Sequence, residues 1–476
     1  MTKIAFINPS PNLKSLYGRL SKEASRLPPL GLLYLASTMK SAGYEARIID
    51  APAQNLSNKE AVSTALEWGA RYIGVTATTD IIFAAGEIAD LIKARTKDTL
   101  VIIGGAHVTA VPEDTLNKFR SFDFGIVGEG EKTLKEVVDA LESGLNVYEV
   151  KGIAYRKDNK VKITGPRDFV EDLDSLGYPS WQLLPEIPKF YKPTLLNYKR
   201  LPAVSLVTSR GCPGKCAFCD TRVFGSRYRM HSADYVLETV RYLKDNFGIK
   251  EICFYDDVFT IFKKRLTQIC KGFQDSVKGI HWSCQARVNA VDYEMMKMMK
   301  KSGCWKISFG IESGADSVLK LMDKRATAEQ AKKAIRLAKR AGLEVEGYFI
   351  LGFFGENSDT IKATNKFIMN SDLDIALLSY FLPLPGSPAY PNANKYGEFN
   401  EDWENMNAFD SENLQFIPHG MSNKELVKAQ KEIYRNFYFR PKTFAKYAFK
   451  MIKDPVCAVK FLKAFSSFIT FVSKES

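Results

Sequence analysis

Three cysteines, Cys212, Cys216 and Cys219, fall within eight positions of a chain that has none before them. They stand in Ser209-Arg210-Gly211-Cys212-Pro213-Gly214-Lys215-Cys216-Ala217-Phe218-Cys219-Asp220, a C-x3-C-x2-C spacing on a loop. Three thiolates hold three irons of a [4Fe–4S] cube, thiolate being the usual ligand of such clusters. The fourth iron is then left without a protein ligand, open for a substrate to chelate. Zinc is the alternative, but it wants four ligands. The nearest candidate is His231, and no second close pair exists. The other cysteines, at 253, 270, 284, 304 and 457, come singly. A disulfide framework would spread them in pairs along a shorter chain, so a metal site in a reducing cytoplasm is expected.

The elements that must position this loop alternate along the chain. Apolar runs at 3–8, 45–50, 72–77, 100–104 and 122–127 alternate with helical patterns near 30–42, 58–69, 81–94 and 131–143. Fully apolar strands between helices imply a parallel, doubly wound sheet whose carboxyl-end loops form a ligand crevice. Those loops carry Thr76 and Thr78, then Gly104, Gly105 and His107, then Gly128 and Glu129. A second alternation supplies strands at 203–208, 250–255, 281–286, 304–310, 344–351 and 374–381, about six β/α units of a partial barrel with its active residues at the strands' carboxyl ends. The chain divides accordingly into an α/β binding domain over 1–145, a linker with a small hairpin over 146–200, the partial barrel over 201–388 and a mostly helical region over 389–476. A length of 476 residues suits such a division better than one core. A hydrophobic content of 45% with 25% charged residues excludes disorder as the default.

The cysteine spacing, with the aromatic Phe218 before the third cysteine, resembles the signature of the radical S-adenosylmethionine (SAM) superfamily, and the resemblance spans about 203 to 388. It implies that the open iron binds the amino and carboxylate groups of SAM, and that one electron yields methionine and a 5′-deoxyadenosyl radical. It also implies further SAM contacts. Asp256 and Asp257, at a strand end, suit the ammonium, with an N-cap as the plain alternative. Arg287 suits the carboxylate through its fork of donors, or forms a surface ion pair. Glu312 is placed for ribose hydroxyls or for the carboxylate's cationic partner. The strand through Ile350 packs on adenine, or is simply core.

The first 145 residues resemble the cobalamin-binding domain that precedes the barrel in one large subclass. The matching stretches are Pro28-Pro29-Leu30-Gly31-Leu32-Leu33-Tyr34-Leu35-Ala36, Gly104-Gly105-Ala106-His107-Val108-Thr109 and Val127-Gly128-Glu129-Gly130-Glu131. Glycine loops let a backbone approach a broad corrin closely. The Asp-x-His-x-x-Gly motif that supplies a cobalt-ligating histidine is absent, and His107 is the one histidine of this domain. The resemblance implies cobalamin bound with no histidine on cobalt; a degenerate domain serving as scaffold or lid is the alternative. Methylthiotransferases, which also place an α/β domain before the barrel, carry three additional N-terminal cysteines that this chain lacks.

Together these features lead to the expectation of an enzyme that modifies an unactivated carbon, most commonly by methylation, on a small-molecule or lipid substrate with a flavodoxin- or ferredoxin-type electron donor. Cyclisation or oxidation is the alternative, and a non-catalytic corrinoid-binding or Fe–S carrier protein the contrasting class. Met1-Thr2-Lys3 leads into an apolar run too short for a signal peptide, so a cytoplasmic protein is expected. The net charge of +13 reads as a lysine-rich surface or as attraction to something anionic. Residues 441–476 carry seven lysines against Asp454 and Glu475, with Lys442, Lys446 and Lys450 every fourth residue, and an apolar run from Val456 to Val472. Such a segment lies in a membrane interface or docks on the barrel. No nucleic-acid module is recognisable.

Overall fold

The computed structural model describes residues 1–11, 25–194, 197–409, 411–441 and 443. Two sheets dominate. The first contains β1 (Lys3–Asn8), β2 (Glu45–Asp50), β3 (Tyr72–Thr76), β4 (Leu100–Gly104), β5 (Phe124–Ile126), β6 (Ile153–Lys157) and β7 (Lys160–Ile163), in the order β2-β1-β3-β4-β5-β6-β7. β1 to β5 are parallel. Their central residues, such as Phe6, Ile73, Val101 and Ile103, are fully buried because helices cover both faces. Leu30–Ser41 and Gly130–Ser143 pack on one face, and Asn58–Glu67 and Ile82–Lys93 on the other.

The expected fifth strand is shortened at both ends. Val101 donates its N–H to the Asp123 carboxylate and Asp123 donates to the Val101 carbonyl, so regular pairing begins only at Phe124. The small hairpin expected in the 146–200 linker forms, but as part of the first sheet: β6 pairs antiparallel with β5 and turns into β7. Asp158 and Asn159 both take positive φ there, 52° and 58°, as the tightest hairpin turns require.

The second sheet is an open, fully parallel half-barrel of β8 (Ala203–Leu206), β11 (Glu251–Phe254), β12 (His281–Ala286), β13 (Cys304–Glu312), β14 (Glu344–Leu351) and β15 (Ile375–Tyr380), ordered β15-β14-β13-β12-β11-β8. Helices follow the strands. Ala233–Phe247 shows how the sequence bounds them: Ser232 caps its start by accepting from the Tyr235 N–H, and Gly248 ends it in a left-handed conformation at φ 64°. β8 stops two residues before its expected end, because the Thr208 N–H donates to the Asp256 carboxylate at 3.0 Å instead of continuing the ladder. The chain then makes a two-residue antiparallel pair, β9 (Ser209–Arg210) with β10 (Arg229–Met230), which closes the cysteine-bearing loop at its base. Gly211 is required at that base. Its φ is 83°, and a Cβ would fall 2.2 Å from the Arg227 carbonyl oxygen.

The two sheets share one continuous apolar cluster running from Leu32 and Val137 through Val204 and Trp282 to Phe349. After the barrel, the helix Asn423–Tyr438, with a Ser422/Glu425 capping box, packs on β15 through Gln430 and Tyr434. Lys442 and the expected apolar run Val456 to Val472 lie outside the described residues, as does Cys457. Among the described residues no helix is long and apolar enough to cross a membrane.

Candidate active site

The carboxyl-end loops of both sheets face one cavity of about 400 Å³. From the first sheet come Thr76, Gly104, Gly105, Gly128 and Glu129, over an apolar floor of Leu32, Leu35, Ile102 and Leu134. From the barrel side come Arg210, Gly211, Cys212, Cys219, Asp220 and Asp257. Nothing lies within 4 Å of a Cβ built at Gly104 or Gly128, so both present bare backbone to open space. Gly105 serves the turn itself: its φ is 108°, and a Cβ would lie 2.6 Å from the Ala77 carbonyl oxygen. The Gly128 N–H is held by the Thr109 hydroxyl at 3.0 Å. A shallow glycine rim over an apolar floor fits one face of a flat macrocycle.

Cys216 is buried, Cys212 half-buried and Cys219 open to the cavity. The Arg287 guanidinium donates to the Cys216 sulfur at 3.5 Å and also to the Lys324 carbonyl. Gly214 makes room for this, since a Cβ there would meet the Arg287 guanidinium at 2.5 Å and the Cys212 sulfur at 3.4 Å. Burial, with Asp257 alongside, pushes the Cys219 thiol up to about 12, and burial raises Cys212 as well. Bound iron reverses this balance, because coordination requires the thiolate. Thus the loop offers three sulfurs backed by a guanidinium, a donor set that fits an Fe–S cube. Among the described residues no three His, Cys, Asp or Glu side chains converge on a point as ligands of a single ion do. His231, the nearest zinc candidate, has both ring nitrogens committed: Nδ1 to Asp174 at 2.9 Å and Nε2 to the Tyr34 hydroxyl at 3.1 Å. Burial holds its pKa down to about 4.

The remaining barrel residues divide. Asp257 opens into the cavity, where burial and then the charge of Asp256 raise its carboxyl. Its neighbour Asp256 is turned the opposite way and fully buried. It accepts from the Thr208 N–H and hydroxyl and from the Ser209 hydroxyl. Asp256 therefore anchors the start of the cysteine loop, and the helix that follows begins at Lys263 without either aspartate as its cap. Glu312 sits in a left-handed conformation, φ 69°, and pairs with Lys324 at 2.6 Å. That lysine lies 5.6 Å from the centre of the Phe218 ring. Ile350 is half-buried against the cluster of Phe353, Phe354 and Phe381, away from the cavity lining.

Two expectations for the first domain are corrected. His107 does not face the cavity. The helix Ala106–Ala110 that opens after Gly105 turns it to the back of the sheet, where Nδ1 meets the Thr79 hydroxyl at 3.1 Å and the ring packs edge-on to Trp403 at 4.6 Å. Burial lowers its pKa to about 4. Thr78 is exposed and bonds to the Asp80 carboxylate rather than lining the cavity beside Thr76.

A charge network between the domains was not anticipated. Arg210, the residue before Gly211-Cys212, forks onto Glu131 at 2.5 and 3.3 Å and reaches Glu129 at 3.1 Å. Arg229 binds Glu129 at 2.9 and 3.1 Å, and Glu129 also accepts the Val170 N–H. All four charged side chains are at least nine-tenths buried. Glu129 stands at the start of the helix Gly130–Ser143, yet its carboxylate is spent on these arginines and makes no cap.

The chain matches the family model "Radical SAM superfamily" over residues 206–368 and "B12 binding domain" over 19–138. It is 34% identical over 428 residues, 89% of this chain and 90% of the other, to an uncharacterized methyltransferase of Pyrococcus horikoshii. It is 28% identical over 443 residues, 90% of this chain and 77% of the other, to the anaerobic magnesium-protoporphyrin IX monomethyl ester cyclase of Rubrivivax gelatinosus. The solved structure of the cobalamin-dependent SAM radical enzyme OxsB, with aqua-cobalamin and SAM bound, superposes with a TM-score of 0.76 at 20% identity, covering 97% of this chain and 72% of that one, which is a likeness of fold. The cofactors that go with the two matched domains are a [4Fe–4S] cluster, SAM and cobalamin. This chain belongs to the radical SAM superfamily, in its class with an N-terminal B12-binding domain.

Proposed function

We propose that this enzyme transfers a methyl group to an unactivated carbon of a small-molecule or lipid substrate. One observation carries the reading. A single cavity is lined both by the bare glycine rim of the B12-binding domain and by Cys212, Cys219 and Asp257 of the barrel, so a methyl carrier and a radical generator share one space. When bound, the cluster with SAM supplies a 5′-deoxyadenosyl radical, and cobalamin supplies a methyl carrier. Cys212, Cys216 and Cys219 hold the cluster, and Arg287 screens the charge on Cys216. Asp257 receives the SAM ammonium, and Lys324, fixed by Glu312, gives the carboxylate a cationic neighbour. Thr76, Gly104, Gly105 and Gly128 would hold the corrin by backbone and small side chains, and His107, bonded to Thr79 behind the sheet, would take no part. Electrons come from a flavodoxin- or ferredoxin-type donor.

A second reading, cyclisation, is favoured by the cyclase relative whose likeness extends over 90% of this chain. Product analysis separates the two. Protein reconstituted anaerobically with iron, sulfide and hydroxocobalamin is given SAM labelled in its methyl group, a reductant, and a small-molecule and lipid extract as the source of acceptor. Methyl transfer predicts both S-adenosylhomocysteine and 5′-deoxyadenosine, with label in the product. Cyclisation predicts 5′-deoxyadenosine alone. Formation of neither, in protein shown to hold its cluster, overturns both readings.

A further inference from the structure

Among the described residues six other than glycine take positive φ, and three of them surround one lysine beside the cysteine loop. Glu312, at 69°, pairs with the Lys324 ammonium at 2.6 Å, while Asp323, at 44°, and Arg325, at 53°, flank Lys324 in the chain. The other three have ordinary settings: Asn55 ends a short helix, and Asp158 and Asn159 make the hairpin turn. Left-handed backbone at a residue with a side chain is strained and persists only where its surroundings impose it. Here three bonds impose it. The Ala217 N–H, one residue after Cys216, donates to the Met322 carbonyl at 2.9 Å. The Arg287 guanidinium donates to the Lys324 carbonyl, and the Asn289 amide to the Arg325 carbonyl at 3.2 Å. The turn 322–325 is thus tied on one side to the cysteine loop and on the other to the loop after β12.

What this turn holds in place is the Arg287 guanidinium. One arm is fixed by the Lys324 carbonyl, and the other donates to the Cys216 sulfur at 3.5 Å, in room left by the missing side chain of Gly214. Among the described residues no carboxylate forms an ion pair with this cation. The acids of the site, Asp220 and Asp257, line the cavity with Cys219 instead. We propose that Arg287, braced by the strained turn, sets the reduction potential of the cluster that the three cysteines hold. A cube on three thiolates is anionic, and gaining one electron, which a flavodoxin- or ferredoxin-type donor gives up, makes it more so. A cation bonded to a ligating sulfur stabilises the reduced form more than the oxidised one and so raises the potential, because net charge and hydrogen bonds to the sulfurs are what set it. This role differs from receiving the SAM carboxylate, since it acts before SAM is present. The inference rests on the cluster assignment and stands whichever group is transferred.

The test is a redox titration of the full chain, reconstituted with iron and sulfide but without SAM or cobalamin. The protein is poised with titanium(III) citrate and mediators, and the reduced cluster is read by electron paramagnetic resonance. Arg287→Gln keeps a donor but not the charge, and is expected to disfavour reduction about tenfold, a midpoint lower by about 59 mV for a one-electron couple. Arg287→Lys keeps the charge and is expected to shift less than half as far. Gly214→Ala keeps Arg287, but its Cβ would meet the guanidinium at 2.5 Å and push it off the sulfur, so its midpoint is expected to fall in the same direction. That variant decides the matter if Arg287→Gln fails to take up iron. Midpoints of Arg287→Gln and Gly214→Ala within about twofold of the parent, in the same equilibrium constant, overturn the proposal. So does a shift in Arg287→Lys as large as that in Arg287→Gln. SAM affinity is measured alongside by equilibrium dialysis: if it falls in Arg287→Gln while the SAM-free midpoint stays, Arg287 serves the SAM carboxylate and the proposal is overturned. A parent that takes up no iron overturns the cluster assignment itself.

Discussion

Replacing Arg210 by methionine tests whether the buried charge network fixes the cavity. The structure sets the magnitude. Glu131 loses both of its bonds to the guanidinium, at 2.5 and 3.3 Å, while Glu129 keeps Arg229 at 2.9 Å. The variant therefore strands one carboxylate, Glu131, whose side chain is only 6% exposed. Breaking one side of a buried pair costs about 3–5 kcal/mol, most of it the penalty for the uncompensated charge. Substituting both members, Arg210→Met with Glu131→Leu, removes the stranded charge. It is expected to recover at least half of the loss, so a double-mutant cycle gives a coupling of about 2 kcal/mol or more. The assay is denaturant unfolding, paired with iron content and cobalamin retention after anaerobic gel filtration. Arg210 precedes Gly211-Cys212 and holds the glycine rim at Glu129 and Glu131, so both cofactors should be lost together in the single variant. A single variant within about 0.5 kcal/mol of the parent, or a double variant as unstable as the single, refutes the reasoning.

Two further predictions address the first domain. Gly105→Ala, at φ 108° with a Cβ 2.6 Å from the Ala77 oxygen, should destabilise by about 1–3 kcal/mol and abolish cobalamin retention; Gly104→Ala, with nothing within 4 Å, should leave the unfolding midpoint unchanged while its methyl group lowers cobalamin affinity. His107 stays neutral in the fold down to about pH 4, whereas the unfolded chain takes up its proton near 6.5. Folded stability from this group is therefore present above 6.5 and is lost as the pH falls from there toward 4. Compared with His107→Asn, the parent should lose about 2 kcal/mol between pH 7 and pH 5, and a difference that does not change with pH contradicts the buried neutral imidazole.

Local chemistry was legible in the sequence, and long-range pairing was not. The cysteine spacing and the glycine pairs act within a few residues, where type and spacing carry the meaning. Asp256 and Asp257 both end an apolar run and look alike in the sequence, but successive side chains at a strand end point to opposite sides. One anchors the loop and the other enters the cavity, and no local pattern tells which. His107 is the one histidine of its domain, yet its partner Trp403 lies nearly 300 positions later, beyond any local cue. The same holds for Arg210 and Glu131. A clue existed in the pair Glu129 and Glu131 beside the glycines, since two carboxylates at a helix start that bury themselves need cations from elsewhere.

The segment after the barrel explains why the cavity depends on residues outside both matched domains. At one end it grips the cysteine loop: the Ala389 N–H donates to the Ala217 carbonyl, and Gly386, at φ 91°, lies so close to Asp220 that a Cβ would meet its carboxylate at 2.6 Å. At the other end Trp403 packs on His107, with the Lys118 ammonium 5.2 Å from the Trp403 ring centre, and Met406 completes the core behind the first sheet. Arg222, on the cysteine loop, closes the circuit by donating to the Ala110 carbonyl at 2.7 Å. The loop that presents the thiols and the sheet that presents the glycine rim are thus each held to a common third piece as well as to each other. A macrocycle seated between them meets walls whose separation is set by packing, not by the flexibility of either loop. Widening that space therefore requires giving up the Arg210 network together with a link through this segment, such as the Trp403 contact, and stranding the buried charges of that network is costly.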